Sequence, residues 1–264
     1  MPTVRANDIE IYFERAGSGP RLLFLNGSGS TLATSALLIK PFTERFDVVA
    51  HDQRGLGRTS IPPGPYEMAD YAADAAALLD HVGWESCRVV GVSFGGMVAQ
   101  ELAVTWPGRV ERLALCCTSP GGRGGASFPL QDLAALAPAE RAARGVQLLD
   151  TRFDAAWLES HPADRGLAEM MAARRGAPKE GEPRRGETEQ LGARSRHDVC
   201  NRLSGVTAPT LVACGRYDGI APLSNGEFIA AQIPKAELHE YEGGHAFFTQ
   251  DPKALPEIME FLVR

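Results

Sequence analysis

A succession of short, predominantly apolar runs constrains this chain more than any other feature. They are Leu22-Leu23-Phe24-Leu25, Asp47-Val48-Val49-Ala50, Arg88-Val89-Val90-Gly91-Val92, Val110–Cys117 and Thr210-Leu211-Val212-Ala213-Cys214. A run without polar alternation is what a strand covered on both faces requires. Helical patterns stand between the runs, at Ser35–Phe42, Met68–Val82 and Phe94–Thr105, the last stopped by Pro107-Gly108. Strand alternating with helix implies parallel strands joined by crossover helices. The opening stretch differs. Val4, Ile9, Ile11 and Phe13 are separated by polar residues, as in a half-exposed strand, until Gly17-Ser18-Gly19-Pro20 breaks the pattern.

The alternation lapses between Ser119 and about Gly205. Helix-like pieces occur there at Leu130–Leu136, Pro138–Leu149, Ala155–Glu159 and Leu167–Ala173, and a charged, proline- and glycine-rich stretch from Gly176 to Gly192 interrupts them. A helix near Gly226–Gln232, a strand at Ala236–Tyr241 and a final helix at Pro252–Val263 then complete the chain. The expected fold class is α/β: a mostly parallel central sheet flanked by helices, with an inserted helical lid. The expected boundaries are 1–118 and 206–264 for the sheet domain and 119–205 for the insertion.

Composition excludes several classes of function. Lys and Arg number 27 against 33 Asp and Glu, a net charge of −6, which disfavours a nucleic-acid partner. The N-terminus shows no basic stretch followed by an apolar run, and no apolar run is long enough to span a bilayer. Five cysteines, Cys87, Cys116, Cys117, Cys200 and Cys214, form no C-x-x-C pair and read as buried reduced thiols. The expectation is a cytoplasmic protein that uses neither metal nor organic cofactor, with no membrane or nucleic-acid partner.

The chemistry concentrates in Gly91-Val92-Ser93-Phe94-Gly95, which lies between a strand and a helix. A serine on so tight a turn needs small neighbours two positions away, and the turn lifts its hydroxyl clear of the sheet. Such a hydroxyl needs a base, and the base needs an orienting carboxylate. Asp218 follows the run Thr210–Cys214 through Gly215-Arg216-Tyr217, and His245 follows Ala236–Tyr241 through Glu242-Gly243-Gly244. Asp218-Gly219 alone would read as a turn and His245 alone as a loop histidine. The order Ser, Asp, His, each past a strand end, instead suggests convergence on one edge of the sheet. Of the other histidines, His197 beside Asp198 reads as structural. The loop Leu25-Asn26-Gly27-Ser28-Gly29 suits a second backbone donor for an oxyanion, so the Ser28 and Phe94 N–H groups are the candidate pair.

These residues resemble the α/β-hydrolase family, over about Val4–Cys117 and Val206 to the C-terminus. Asp52-Gln53-Arg54-Gly55-Leu56-Gly57-Arg58-Thr59-Ser60 looks like the family's D-x-R-G-x-G-x-S loop, which the resemblance implies is structural. The chain departs from the common pattern at Asn26-Gly27, where many members carry His-Gly. Enol-lactone hydrolases and small carboxylesterases look most similar. Ser93 disfavours the dehalogenases and epoxide hydrolases, which use an aspartate. Carbon–carbon bond hydrolases, cofactor-free perhydrolases or haloperoxidases, and thioesterases share the triad and stay open as alternatives. The expected reaction is hydrolysis of a small-molecule ester or lactone, with Ser93 as nucleophile, His245 as base and Asp218 as orienting acid. A non-catalytic ligand receptor is the contrasting reading. Phe128, Trp157, Met170 and Met171 read either as ordinary lid core or as walls of an apolar pocket. Arg174-Arg175 and Arg184-Arg185 are either a solvated face or an attractor for an acidic substrate.

Overall fold

The computed structural model describes residues 3–174 and 180–264. The opening stretch becomes two strands, β1 (Thr3–Ala6) and β2 (Ile9–Gly17), followed by β3 (Arg21–Leu25), helix α1 (Leu32–Thr43) and β4 (Asp47–His51). Next come α2 (Met68–His81), β5 (Cys87–Val92), α3 (Phe94–Thr105) and β6 (Val110–Cys116). A helical region follows, with α4 (Pro138–Leu149), α5 (Ala155–Ser160), α6 (Pro162–Arg174) and α7 (Gly181–Ser195). The sheet resumes at β7 (Thr210–Gly215), then α8 (Leu223–Gln232), β8 (Ala236–Tyr241), α9 (Phe247–Gln250) and α10 (Ala254–Val263).

The strands form one sheet of eight, in the order β1-β2-β4-β3-β5-β6-β7-β8. β1 and β2 pair antiparallel, as do β2 and β4; every pairing from β4 to β8 is parallel. Successive side chains of a strand point to opposite faces, and both faces are covered. Leu23, Leu25 and Val49 pack into a core that includes Tyr71, Leu78, Met97, Leu102 and Ile229 of α2, α3 and α8. Leu22, Phe24, Val48 and Ala50 pack on the other side with Phe42 of α1 and Ile258, Phe261 and Leu262 of α10. Two covered faces are why the runs are apolar over most of their length.

One part of the sequence reading is corrected. The stretch Gly176–Gly192 does not simply interrupt the helices: from Gly181 it is the start of α7, which runs to Ser195. Its glycines and Pro183 lower intrinsic helix propensity, yet Gly186 is required by packing. A Cβ there would stand 2.7 Å from the Gly55 carbonyl carbon, so α7 lies directly on the loop after β4. The two ends of the helical region also meet. Gly121 bridges Asp198, and Val199 N–H donates to Pro120 O at 3.0 Å. Among the described residues, no helix is long and apolar enough to cross a membrane.

Candidate active site

The parallel register aligns the C-terminal ends of the central strands. Leu25 is opposite Gly91, Val92 opposite Cys116, Cys116 opposite Ala213, and Gly215 opposite Tyr241. The loops that leave β3, β5, β7 and β8 therefore rise from a single rim. The chain order reverses between β3 and β5, the kind of crevice in which open α/β sheets bind ligands.

Ser93 sits on the turn from β5 to α3 with φ 56° and ψ −114°, a left-handed conformation costly for a residue with a side chain. Several contacts hold it there. Its N–H donates to Cys116 O at 2.8 Å, and its own carbonyl accepts from Gly96 N at 2.9 Å and from Thr118 Oγ1 at 2.7 Å. Small neighbours are essential on both sides. A Cβ on Gly91 would lie 2.7 Å from Gly96 Cα, and one on Gly95 would lie 2.7 Å from Asn26 O.

The three sequence-predicted side chains meet. His245 Nε2 is 3.0 Å from Ser93 Oγ, and His245 Nδ1 is 2.7 Å from Asp218 Oδ2. A carboxylate only accepts, so Nδ1 carries the proton and Nε2 presents its lone pair to the hydroxyl. Asp218 is buried, and its other oxygen accepts from Ile220 N at 2.7 Å and Ala221 N at 2.8 Å. A carboxylate tied down on both oxygens cannot swing away from the imidazole. Its position past β7, and that of His245 past β8, explains how residues so distant in sequence converge.

The loop after β3 also reaches the site. A Cβ on Gly27 would stand 3.6 Å from Ser93 Cβ. The Phe94 N–H opens α3, where the first amides have no helical acceptor. Ser28 Oγ and the two polar side-chain atoms of Asn26 are buried without a hydrogen-bond partner among the described residues. Unsatisfied buried polar atoms are rare enough to demand a reason, and these three flank Ser93. The Asp52 loop braces the arrangement. Asp52 accepts from Leu32 N at 2.7 Å and Arg58 N at 2.9 Å, and Gln53 Nε2 donates to Asn26 O at 2.8 Å. Arg54 forms a buried two-pronged pair with Asp74 at 2.7 and 2.8 Å.

Other members of the site carried no sequence motif. Gln190 of α7 accepts from Gly29 N at 2.7 Å and donates to Gln53 Oε1 at 3.2 Å, tying the helical region to the loop after β3. The end of α4 is fastened to both late loops: His245 N donates to Leu149 O at 2.6 Å and Gly219 N to Leu148 O at 3.2 Å. Fully buried Asp150 pairs with Arg152 at 2.6 Å and accepts from Gln250 Nε2 at 2.9 Å. Arg194 of α7 is buried, with Nη1 donating to Phe128 O at 2.7 Å. Of the candidate wall residues, Phe128 packs with Leu133, Leu148 and Ile220, and Trp157 and Met171 with Phe153 and Leu167. Met170 is 38% exposed. Arg184 is exposed, while Arg185 pairs with Glu182 and donates to Ile61 O and Pro62 O at 2.7 Å. Arg175 lies outside the described residues.

Among the described residues, Cys117, Asp218 and His245 are the group of possible metal ligands whose ligand atoms fall within 4.8 Å of one another. Burial and the nearby Asp218 charge hold the Cys117 thiol well above its ordinary pKa, so it resists the deprotonation a metal ligand needs. The donor set suits a proton relay better than an ion.

A family profile described as the alpha/beta hydrolase fold matches residues 20–252. The chain belongs to the α/β-hydrolase family. Among curated relatives of this α/β-hydrolase is 3-oxoadipate enol-lactonase 2 of Acinetobacter baylyi, 26% identical over 99% of this chain and 96% of its own length. The poly(3-hydroxyalkanoate) depolymerase of Ectopseudomonas oleovorans is 30% identical over 91% of this chain and 83% of its own. Among solved structures, the enol-lactonase from Burkholderia xenovorans LB400 superposes with a TM-score of 0.80 over 100% of both chains, at 22% identity. That last likeness speaks for the fold alone. The similarity to enol-lactone hydrolases read from the motifs is matched by these relatives.

Proposed function

We propose that this α/β-hydrolase cleaves a small-molecule carboxylic ester or lactone through an acyl-enzyme on Ser93. The unbroken line from Asp218 through His245 to Ser93, at 2.7 and 3.0 Å, carries the reading. His245 Nε2 takes the Ser93 proton as Oγ attacks the carbonyl carbon. Asp218 holds the tautomer and stabilises the imidazolium that forms. The negative oxygen rests on the N–H groups of Phe94 and Ser28, each such donor contributing about 10²–10³ in rate. The carbonyl–oxygen bond then breaks, and the leaving oxygen takes the proton from Nε2. Water, deprotonated by His245, adds to the acyl carbon and releases the acid, and the proton returns to Ser93.

Residues 119–205 act in this account as a lid that is tied to the site through Gln190 and Leu149. Relatives named enol-lactonase and depolymerase support an ester or lactone carbonyl as the target. The test is turnover of p-nitrophenyl acyl esters, aliphatic and enol lactones, and a dienone of the ring-cleavage type. Ester or lactone hydrolysis that disappears in Ser93→Ala is expected. Cleavage of the dienone alone would replace this reading with carbon–carbon bond hydrolysis.

A further inference from the structure

Arg194 is a buried guanidinium in which two of the three nitrogens have no partner among the described residues. It is 5% exposed, and its Nη1 donates to Phe128 O at 2.7 Å. Its Nε and Nη2, also shielded from solvent, find no partner among the described residues. An arginine fork offers five N–H donors shaped for a carboxylate, and proteins rarely leave such a group buried and unpaired. The charge of Asp218 acts on it, but the Asp218 oxygens are already committed to His245, Ile220 N and Ala221 N. Burial pushes the guanidinium pKa down to about 10, which leaves it charged at neutral pH.

The position of Arg194 is fixed by contacts on two sides. Gln190 lies one turn earlier on the same face of α7, and it holds Gly29 N, next to the proposed oxyanion donor of Ser28, at 2.7 Å. On the other side, the Phe128 backbone that anchors Arg194 donates to Ile220 O at 2.7 Å, and Ile220 N donates to Asp218. The free fork thus lies under the helical region, between the loop after β3 and the loop that carries Asp218. We propose that Arg194 is the receptor for a carboxylate on the substrate, so that the ester or lactone cleaved at Ser93 carries a second, anionic end. This deepens the hydrolase reading above and rests on it.

The probes are mono-p-nitrophenyl esters of succinate, glutarate and adipate. Each is compared with the neutral ester in which an isopropyl group replaces the terminal carboxylate. Full-length wild type is expected to favour at least one half ester over its neutral partner in kcat/KM. Arg194→Met should lower that ratio at least tenfold, chiefly through KM, and Arg194→Lys should restore part of it as a charge without the fork. A second readout does not involve turnover. The free dicarboxylate should raise the Tm of wild type and not that of Arg194→Met, because only a ligand of the folded state stabilises it. Arg194→Met without ligand should melt no lower than wild type, since it removes a buried unpaired charge.

Neutral esters preferred at every chain length by wild type would overturn the proposal. So would Arg194→Met lowering both members of each pair equally, which would mark Arg194 as a brace for Phe128 and the lid. The hydrolase reading fails separately, if Ser93→Ala leaves turnover of the neutral esters intact.

Discussion

Gly95→Ala tests whether the strand-to-helix turn really sets the distance between Ser93 and the loop after β3. The added Cβ would fall 2.7 Å from Asn26 O and closer still to the Leu25 carbonyl, all of it backbone that cannot rotate away. Ordinary contact begins near 3.4 Å, so Asn26 must retreat by at least about 0.7 Å, and Leu25 by more. Overpacking of this kind costs about 1–3 kcal/mol. At about 2–4 °C per kcal/mol for a domain of this size, Tm should fall by roughly 2–12 °C. The displaced segment leads directly into Ser28, whose N–H is the proposed oxyanion donor. A misplacement near 1 Å is worth about 10² in rate. Urea unfolding and p-nitrophenyl acetate turnover measure the two effects together. Gly108→Ala is the control, since a Cβ there meets nothing within 4 Å. Full turnover and wild-type stability in Gly95→Ala would refute the steric reasoning.

Two further perturbations probe the scaffold. Asp74→Asn leaves Arg54, at 9% side-chain exposure, without its buried anion, and Asp70 at 3.5 Å offers only a distant substitute; a loss of about 3 kcal/mol in urea unfolding is expected, and a loss below about 1 kcal/mol would contradict the burial argument. Burial drives the His51 pKa down from 6.5 to about 4, so the unfolded chain takes up this proton first as acid is added. Stability should therefore decline from near pH 6.5 and level off near pH 4, by up to about 3 kcal/mol from this group. His51→Gln should flatten part of that slope, with buried His197, also lowered to about 4, supplying a second share. An unchanged slope in the variant would show that His51 titrates normally.

The strands and the Ser93, Asp218 and His245 constellation were legible because local sequence alone dictates them. A run buried on both faces must be mostly apolar, and Ser93 must be flanked by glycines because Gly95 O and Asn26 O leave no room. The antiparallel placement of β2 beside β4 was not legible, since strand pairing depends on partners far away in the chain. Nor was α7. Gly181, Pro183, Gly186 and Gly192 argue against a helix one residue at a time, and only the contact with Gly55, which the sequence does not show, accounts for Gly186. Gln190, Arg194 and Asp150 escaped notice for a similar reason. Each acts through a tertiary contact, with Gly29, Phe128 or Gln250, that no spacing announces.

The central claim is that His245 makes the Ser93 hydroxyl a nucleophile. Covalent labelling by a fluorophosphonate, with the adduct mapped by peptide mass spectrometry, tests it most directly. The adduct should fall on Ser93, vanish in Ser93→Ala and form at least about 10²-fold more slowly in His245→Gln, in line with the usual contribution of a general base. Labelling of some other residue, or an undiminished rate in His245→Gln, would contradict the account.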